Sequence, residues 1–166
     1  MIRYLLLSLL IISSNCTYPT KNQNDIIKEY YNREFVISDN DYTYNLLEYI
    51  ASPNIKHEDI GDAINIFCEI CLVSDGALAE MLSDYCIIMI ERYPKQIISR
   101  MVDCNELLCS YGTLLASDFY YRDIKPTSPI FNNFFDKIKN RLNNENNLLL
   151  TFSKLEKYVI QILRKQ

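Results

Sequence analysis

A chain of 166 residues with 49% hydrophobic content is long enough for one domain with a real core and too apolar for disorder. Its formal charge of −4 gives no electrostatic footprint for nucleic acid and no general attraction to anionic lipid headgroups, though it suits a basic protein partner. The three glycines, at positions 61, 76 and 112, lie too far apart for a dinucleotide fingerprint or a P-loop, so nucleotide binding through those motifs is excluded.

The first stretch, Met1–Cys16, reads MIRYLLLSLLIISSNC. Arg3 is a short positive region, Tyr4–Ile12 is a nearly unbroken apolar run, and Ser13, Ser14 and Asn15 lead into Cys16. That is the charged, apolar, small-residue order of a secretory signal, and the apolar run is far short of the roughly 20 residues a spanning helix needs. The ending resembles the lipobox of bacterial lipoproteins, with Asn15 where that pattern has Gly, Ala or Ser. The resemblance implies cleavage before Cys16 and acylation of its thiol and new N-terminus. The bare residues also fit an ordinary secretory signal. The polar stretch Thr17–Asn24 then reads as a tether.

Everything after Asn24 reads as helix. Ile26, Ile27, Tyr30 and Tyr31 recur at helical spacing behind Asp25. Asp39–Asp41 offers caps for a helix carrying Tyr42, Leu46, Leu47 and Ile50, which Ser52-Pro53 stops. Ile60, Ala63, Ile64, Phe67, Cys68 and Cys71 follow the i, i+3, i+4, i+7 pattern. Ile66, Ile70, Leu72 and Val73 make that helix apolar nearly all round, as expected in the middle of a bundle. Ser74-Asp75-Gly76 breaks the run, and a long helix follows with Leu78, Met81, Leu82, Tyr85, Cys86 and Met89 on one face.

Pro94 suits the first position of a short helix bearing Ile97, Ile98, Met101 and Val102. Asp103 and Glu106 have capping-box spacing for a helix carrying Leu107, Leu108, Tyr111, Leu114, Leu115 and Phe119. After a loop over Tyr121–Ser128, Pro129 opens a helix using Ile130, Phe131, Phe134, Phe135, Ile138 and Leu142. Asn143–Asn147 reads as a connector, and the last helix shows Phe152, Leu155, Val159, Ile162 and Leu163 before Arg164-Lys165. Phe35-Val36-Ile37 is the one short β-like run.

Few residues point to chemistry. Cys68 and Cys71 form a C-x-x-C, but in the middle of a helix on its apolar face and without a second ligand pair. Core packing therefore explains them better than zinc or thioredoxin-like redox work. Without Cys16 five cysteines remain, an odd number, so at least one is unpaired in a monomer. Cys104 and Cys109, placed on one helix, would have Cα atoms about 8 Å apart, beyond bridging reach. A disulfide should join different helices, with Cys86 to Cys68 or Cys71 preferred. His57, the sole histidine, lies in a charged run at a helix start and fits a solvated cap better than a base. Tyr120, Tyr121 and Arg122, between Asp118 and Asp123, are the residue types enriched at binding hot spots.

The expected molecule is all-α, a compact multi-helix bundle or a short stack of αα-hairpins. A signal over residues 1–15 and a lipidated, tethered segment over 16–24 precede a single domain over 25–166. The expected role is a binding or structural module of the cell envelope, anchored in the membrane through Cys16, with a protein partner and no cofactor, metal or catalytic residue. An immunity-type inhibitor of a secreted toxin is the next reading. A hydrolase with helix-borne carboxylates is the third, without the E-x-x-H ligand motif of bundle metal sites.

Overall fold

A computed structural model describes residues 23–33, 36–142 and 145–165. The signal, Cys16, most of the tether, Phe35 and the first two residues of the 143–147 connector lie outside the described residues. Among the described residues eight helices follow one another: α1 (Gln23–Tyr31), α2 (Asp41–Ile50), α3 (Ile60–Val73), α4 (Gly76–Arg92), α5 (Pro94–Val102), α6 (Asn105–Tyr121), α7 (Pro129–Leu142) and α8 (Asn146–Leu163). A single 3-10 turn over His57–Asp59 leads into α3, and there is no strand among the described residues. The protein is an all-α bundle.

The packing is closed, not a stack. In a stack of hairpins each pair touches its sequence neighbours, whereas α6 packs against α3, α4, α5 and α8 together. The reason is an apolar surface broader than one stripe, in which Leu107, Leu108, Tyr111, Leu114, Leu115, Ala116 and Phe119 are all buried. Gly112 lets α8 approach closely, since a Cβ there would lie 2.6 Å from Tyr158 Cδ1 and 3.2 Å from Leu155 Cδ1. A phenylalanine cluster closes the far end. Phe119 of α6 meets Phe131 and Phe134 of α7 at 5.2 and 5.3 Å, and Phe135 meets Phe152 of α8 at 5.4 Å. Each such pair contributes about 0.5–1.5 kcal/mol beyond its buried area.

Several local expectations shift. The central helix is α6 more than α3, whose Leu72 and Val73 are exposed at its open C-terminal end. α1 starts at Gln23, two residues inside the expected tether. α8 starts at Asn146, inside the expected connector. The cap of α6 is Cys104, whose Sγ accepts from the Leu107 N–H at 3.4 Å, in place of an Asp103–Glu106 box. Asp103 is already committed as the C-cap of α5, so the joint leaves Cys104, with φ −126° and ψ 86°, as the non-helical residue ahead of α6. Ile130 is exposed because it lies one position off the Phe131, Phe134, Phe135, Ile138 stripe.

The abundant tyrosines have a structural role that the helical pattern does not reveal. The Tyr30 hydroxyl donates to Glu69 Oε2 at 2.7 Å and that of Tyr31 to Asp62 Oδ1 at 3.1 Å, tying α1 to α3. Tyr85 of α4 donates to Glu48 Oε1 of α2 at 2.6 Å, and Tyr49 of α2 donates to Asp59 ahead of α3. Burial first, and then the accepting carboxylate, push all four phenols upward, that of Tyr49 to about 12.

A phenol pKa raised above its unfolded value near 10 gives stability that is complete below pH 10 and lost as pH rises through the folded value. Urea unfolding from pH 7 to 12 should therefore show a loss of stability above pH 10 from these phenols, added to the loss that begins near pH 9 as the buried Cys68 and Cys71 thiols titrate. Tyr49→Phe should cost about 1 kcal/mol at pH 7 and make the alkaline fall shallower. An unchanged alkaline slope would contradict the tie to Asp59.

Candidate partner-binding site

The C-terminal end of α6 is built to one geometry. The Ile124 N–H donates to Phe119 O at 2.8 Å and the Asp123 N–H to Tyr120 O at 3.0 Å, the pair of bonds that defines a Schellman motif. Asp123 takes the left-handed position, with φ 53°, which Asp tolerates better than most non-glycine residues. Ile124 packs on the core beneath, so the helix end is anchored from inside.

Arg122, the C-cap, is held from two sides. Its Nε–H donates to Asp118 Oδ1 at 2.8 Å and an NH2 hydrogen to Asp84 Oδ1 of α4 at 2.7 Å. Asp118 is only 3% exposed, whereas the side chains of Asp84 and Arg122 are 68% and 56% exposed. Through Arg122 the two carboxyls also act on each other's titration. Burial raises the Asp118 pKa against the pull of Arg122, while the adjoining Asp118 carboxyl and then the guanidinium lower that of Asp84. The buried carboxyl is therefore the one that keeps its proton to higher pH.

Beside this clamp, Tyr120 and Tyr121 stand 55% and 67% exposed, with their rings edge to face at 5.9 Å. The three residues singled out in the sequence thus share one surface. Asp84 is the member that sequence reading missed, because nothing local links it to a residue 38 positions away. Asp118 and Arg122 have the i, i+4 spacing of an acid–base pair, the local signal from which their bridge could have been read.

The other sequence candidates lie elsewhere. His57 is exposed in the 3-10 turn before α3. Cys68 and Cys71 are buried in α3, Cys86 is buried in α4, and all five described cysteines are free thiols. The expected pairing of Cys86 with Cys68 or Cys71 is thus not a bond in this structure. Burial raises the Cys68 thiol to about 12 and that of Cys71 well above its usual value, so both stay protonated and inert in the fold. Among the described residues no three His, Cys, Asp or Glu side chains converge as a metal site. An open hollow of about 480 Å³ lies between the end of α5 and the start of α8, lined by Ser99, Asp103, Glu145 and Leu148 among others. It is remote in sequence from the Tyr/Arg surface.

Comparison with known protein families, with curated proteins and with solved structures finds no match for this chain.

Removing the guanidinium leaves Asp118 buried beside Asp84 without a counter-charge. That raises the folded Asp118 pKa further, and a raised carboxyl pKa makes stability fall as pH rises through it. Arg122→Ala should thus cost roughly 1–2 kcal/mol at pH 7.5, a modest figure because the clamp is half-exposed, and clearly less at pH 5. Thermal denaturation at the two pH values checks this, and an equal loss at both would contradict it.

Proposed function

We propose that this chain is an exported lipoprotein whose helical domain is a binding module of the cell envelope, anchored through Cys16. Its contact surface is Tyr120, Tyr121 and Arg122. The observation that carries the reading is the exposure of two adjacent tyrosines on a helix end that a Schellman turn and a two-carboxylate clamp hold still. Tyrosine offers large contact area at low entropic cost, and a surface already ordered in the free protein loses less freedom on binding. The chain's acidity favours a basic partner.

The order of residues in Met1–Cys16 supports the anchoring half of the reading. No helix among the described residues is long and apolar enough to cross a membrane, so attachment to a bilayer by those residues would need another device. Acyl chains on Cys16 would supply it, at about 0.8 kcal/mol per buried methylene, with two or more chains needed for a stable anchor.

Both halves are testable in one set of cells. Cys16→Ser should move the protein from the membrane fraction to the soluble one, and retention would refute the lipid anchor. A photo-crosslinking residue in place of Tyr121 should give a discrete adduct that Tyr120→Ala weakens several-fold. The same probe at Leu150, equally exposed on α8, should not give that adduct. Identical adducts at both positions, or none at 121, would refute the surface.

A further inference from the structure

The net charge averages two unlike halves. Residues 25–91 hold fourteen acids against three bases, whereas residues 92–166 hold twelve bases against seven acids, so the basic groups gather on part of the surface. They gather most plainly along the outside of α8. At 3.6 residues per turn, Leu150, Lys154, Lys157, Gln161 and Arg164 fall within about 80° of one another around the helix axis, along a line about 21 Å long. All five are exposed, Leu150 by 60%, while Leu148, Phe152, Leu155 and Val159 on the far side are buried where α8 meets α5, α6 and α7.

No carboxylate balances this stripe among the described residues. Glu156, the one acid of α8, lies off it, and its Oε2 is 3.0 Å from Lys139 Nζ of α7. Lys95 and Lys137 likewise pair with Glu145 and Glu91. The side chains of Lys154, Lys157 and Arg164 have no hydrogen bond or ion pair among the described residues. The helix dipole accounts for a cation at the C-cap, as at Arg164, but its effect is confined to the last turn and does not reach Lys154 or Lys157.

We propose that the outer face of α8 docks on anionic phospholipid headgroups, with the helix lying parallel to the bilayer. A line of unpaired cations on a convex helix face, without an aromatic side chain, complements a flat field of phosphates. A protein hot spot is centred on aromatic anchors, which this chain presents at Tyr120 and Tyr121 instead. The acids of the first half do not cancel the attraction. Charges behind α8 stand at least one helix thickness, about 10 Å, from the bilayer, beyond the screening length of about 8 Å at physiological salt. Docking in the cell rests on the anchored lipoprotein proposed above: residues 17–22 separate Cys16 from α1 by at most about 20 Å, which holds α8 at high local lipid concentration. An acyl chain and a basic patch are together two signals of the kind stable attachment needs. Binding to vesicles does not depend on the anchor.

The test is co-sedimentation of the unlipidated full chain with vesicles of phosphatidylcholine alone and of equal parts phosphatidylcholine and phosphatidylglycerol. Residues 1–22 are common to every variant, so the comparison between variants reads the stripe. The wild type should prefer the anionic vesicles, and about 0.5 M salt should abolish the preference. Lys154→Gln/Lys157→Gln should weaken binding to the anionic vesicles about 25-fold, about fivefold per lysine, and leave binding to phosphatidylcholine unchanged. Lys28→Gln/Lys125→Gln, which removes the same charge from exposed sites elsewhere, should change it by less than about twofold. No preference for the anionic vesicles, or equal losses in the two double variants, would overturn the proposal. A photo-crosslinking residue in place of Lys157 should capture lipid in cells, and a discrete protein adduct there would assign the stripe to an acidic protein and overturn it too. Stripe contacts wash off in high salt, so release of Cys16→Ser protein from salt-washed membranes reports the anchor alone.

Discussion

The close approach of α8 to α6 at Gly112 is the constraint on which the remaining packing depends. With no side chain at that point, Tyr158 and Leu155 of α8 settle directly on the α6 backbone. α8 then also reaches α5 and α7, and the Phe135–Phe152 contact closes the aromatic cluster. α5, only nine residues long, is enclosed by α3, α4, α6, α7 and α8, with Ile97 and Ile98 fully buried. A helix that short is marginal in water and owes its stability to this enclosure.

The same helix carries the candidate surface. α6 is buried through Phe119 and emerges at Tyr120 and Tyr121, so the two tyrosines project from an element whose preceding turns cannot move independently. Asp118 is buried yet polar, and Arg122, itself held by Asp84, satisfies it at the boundary between core and solvent. The clamp thus links a buried carboxyl, the helix cap and a second helix. Tyrosine hydroxyls and carboxylates link α1, α2, α3 and α4 by a different chemistry at the opposite side of the sequence.

Much of the fold was legible because apolar periodicity is a local signal. The stripes of α3, α7 and α8 could be read from spacing alone, as could Pro94 at the start of α5 and the break at Ser74-Asp75. Closure into a bundle was not, because it depends on which helices meet. The Cys104 cap was hidden by the stronger capping preference of Asp103, which the end of α5 had already claimed. At the surface, Tyr120, Tyr121 and Arg122 stood out by composition. Asp84 did not, since its partnership with Arg122 exists only after α4 and α6 pack. Among the thiols, parity required at least one to be unpaired, and all five described cysteines are free in the fold.

The most direct test of this account compares two helical glycines. A Cβ at Gly61 of α3 meets nothing within 4 Å, whereas one at Gly112 meets Tyr158 at 2.6 Å. Gly→Ala raises helix propensity at both sites by roughly 0.5–1 kcal/mol. Urea unfolding should therefore show Gly61→Ala as neutral to stabilising and Gly112→Ala as destabilising by about 1–3 kcal/mol, the usual cost of overpacking. Equal gains at the two positions would contradict the claim that the α6–α8 approach organises the core.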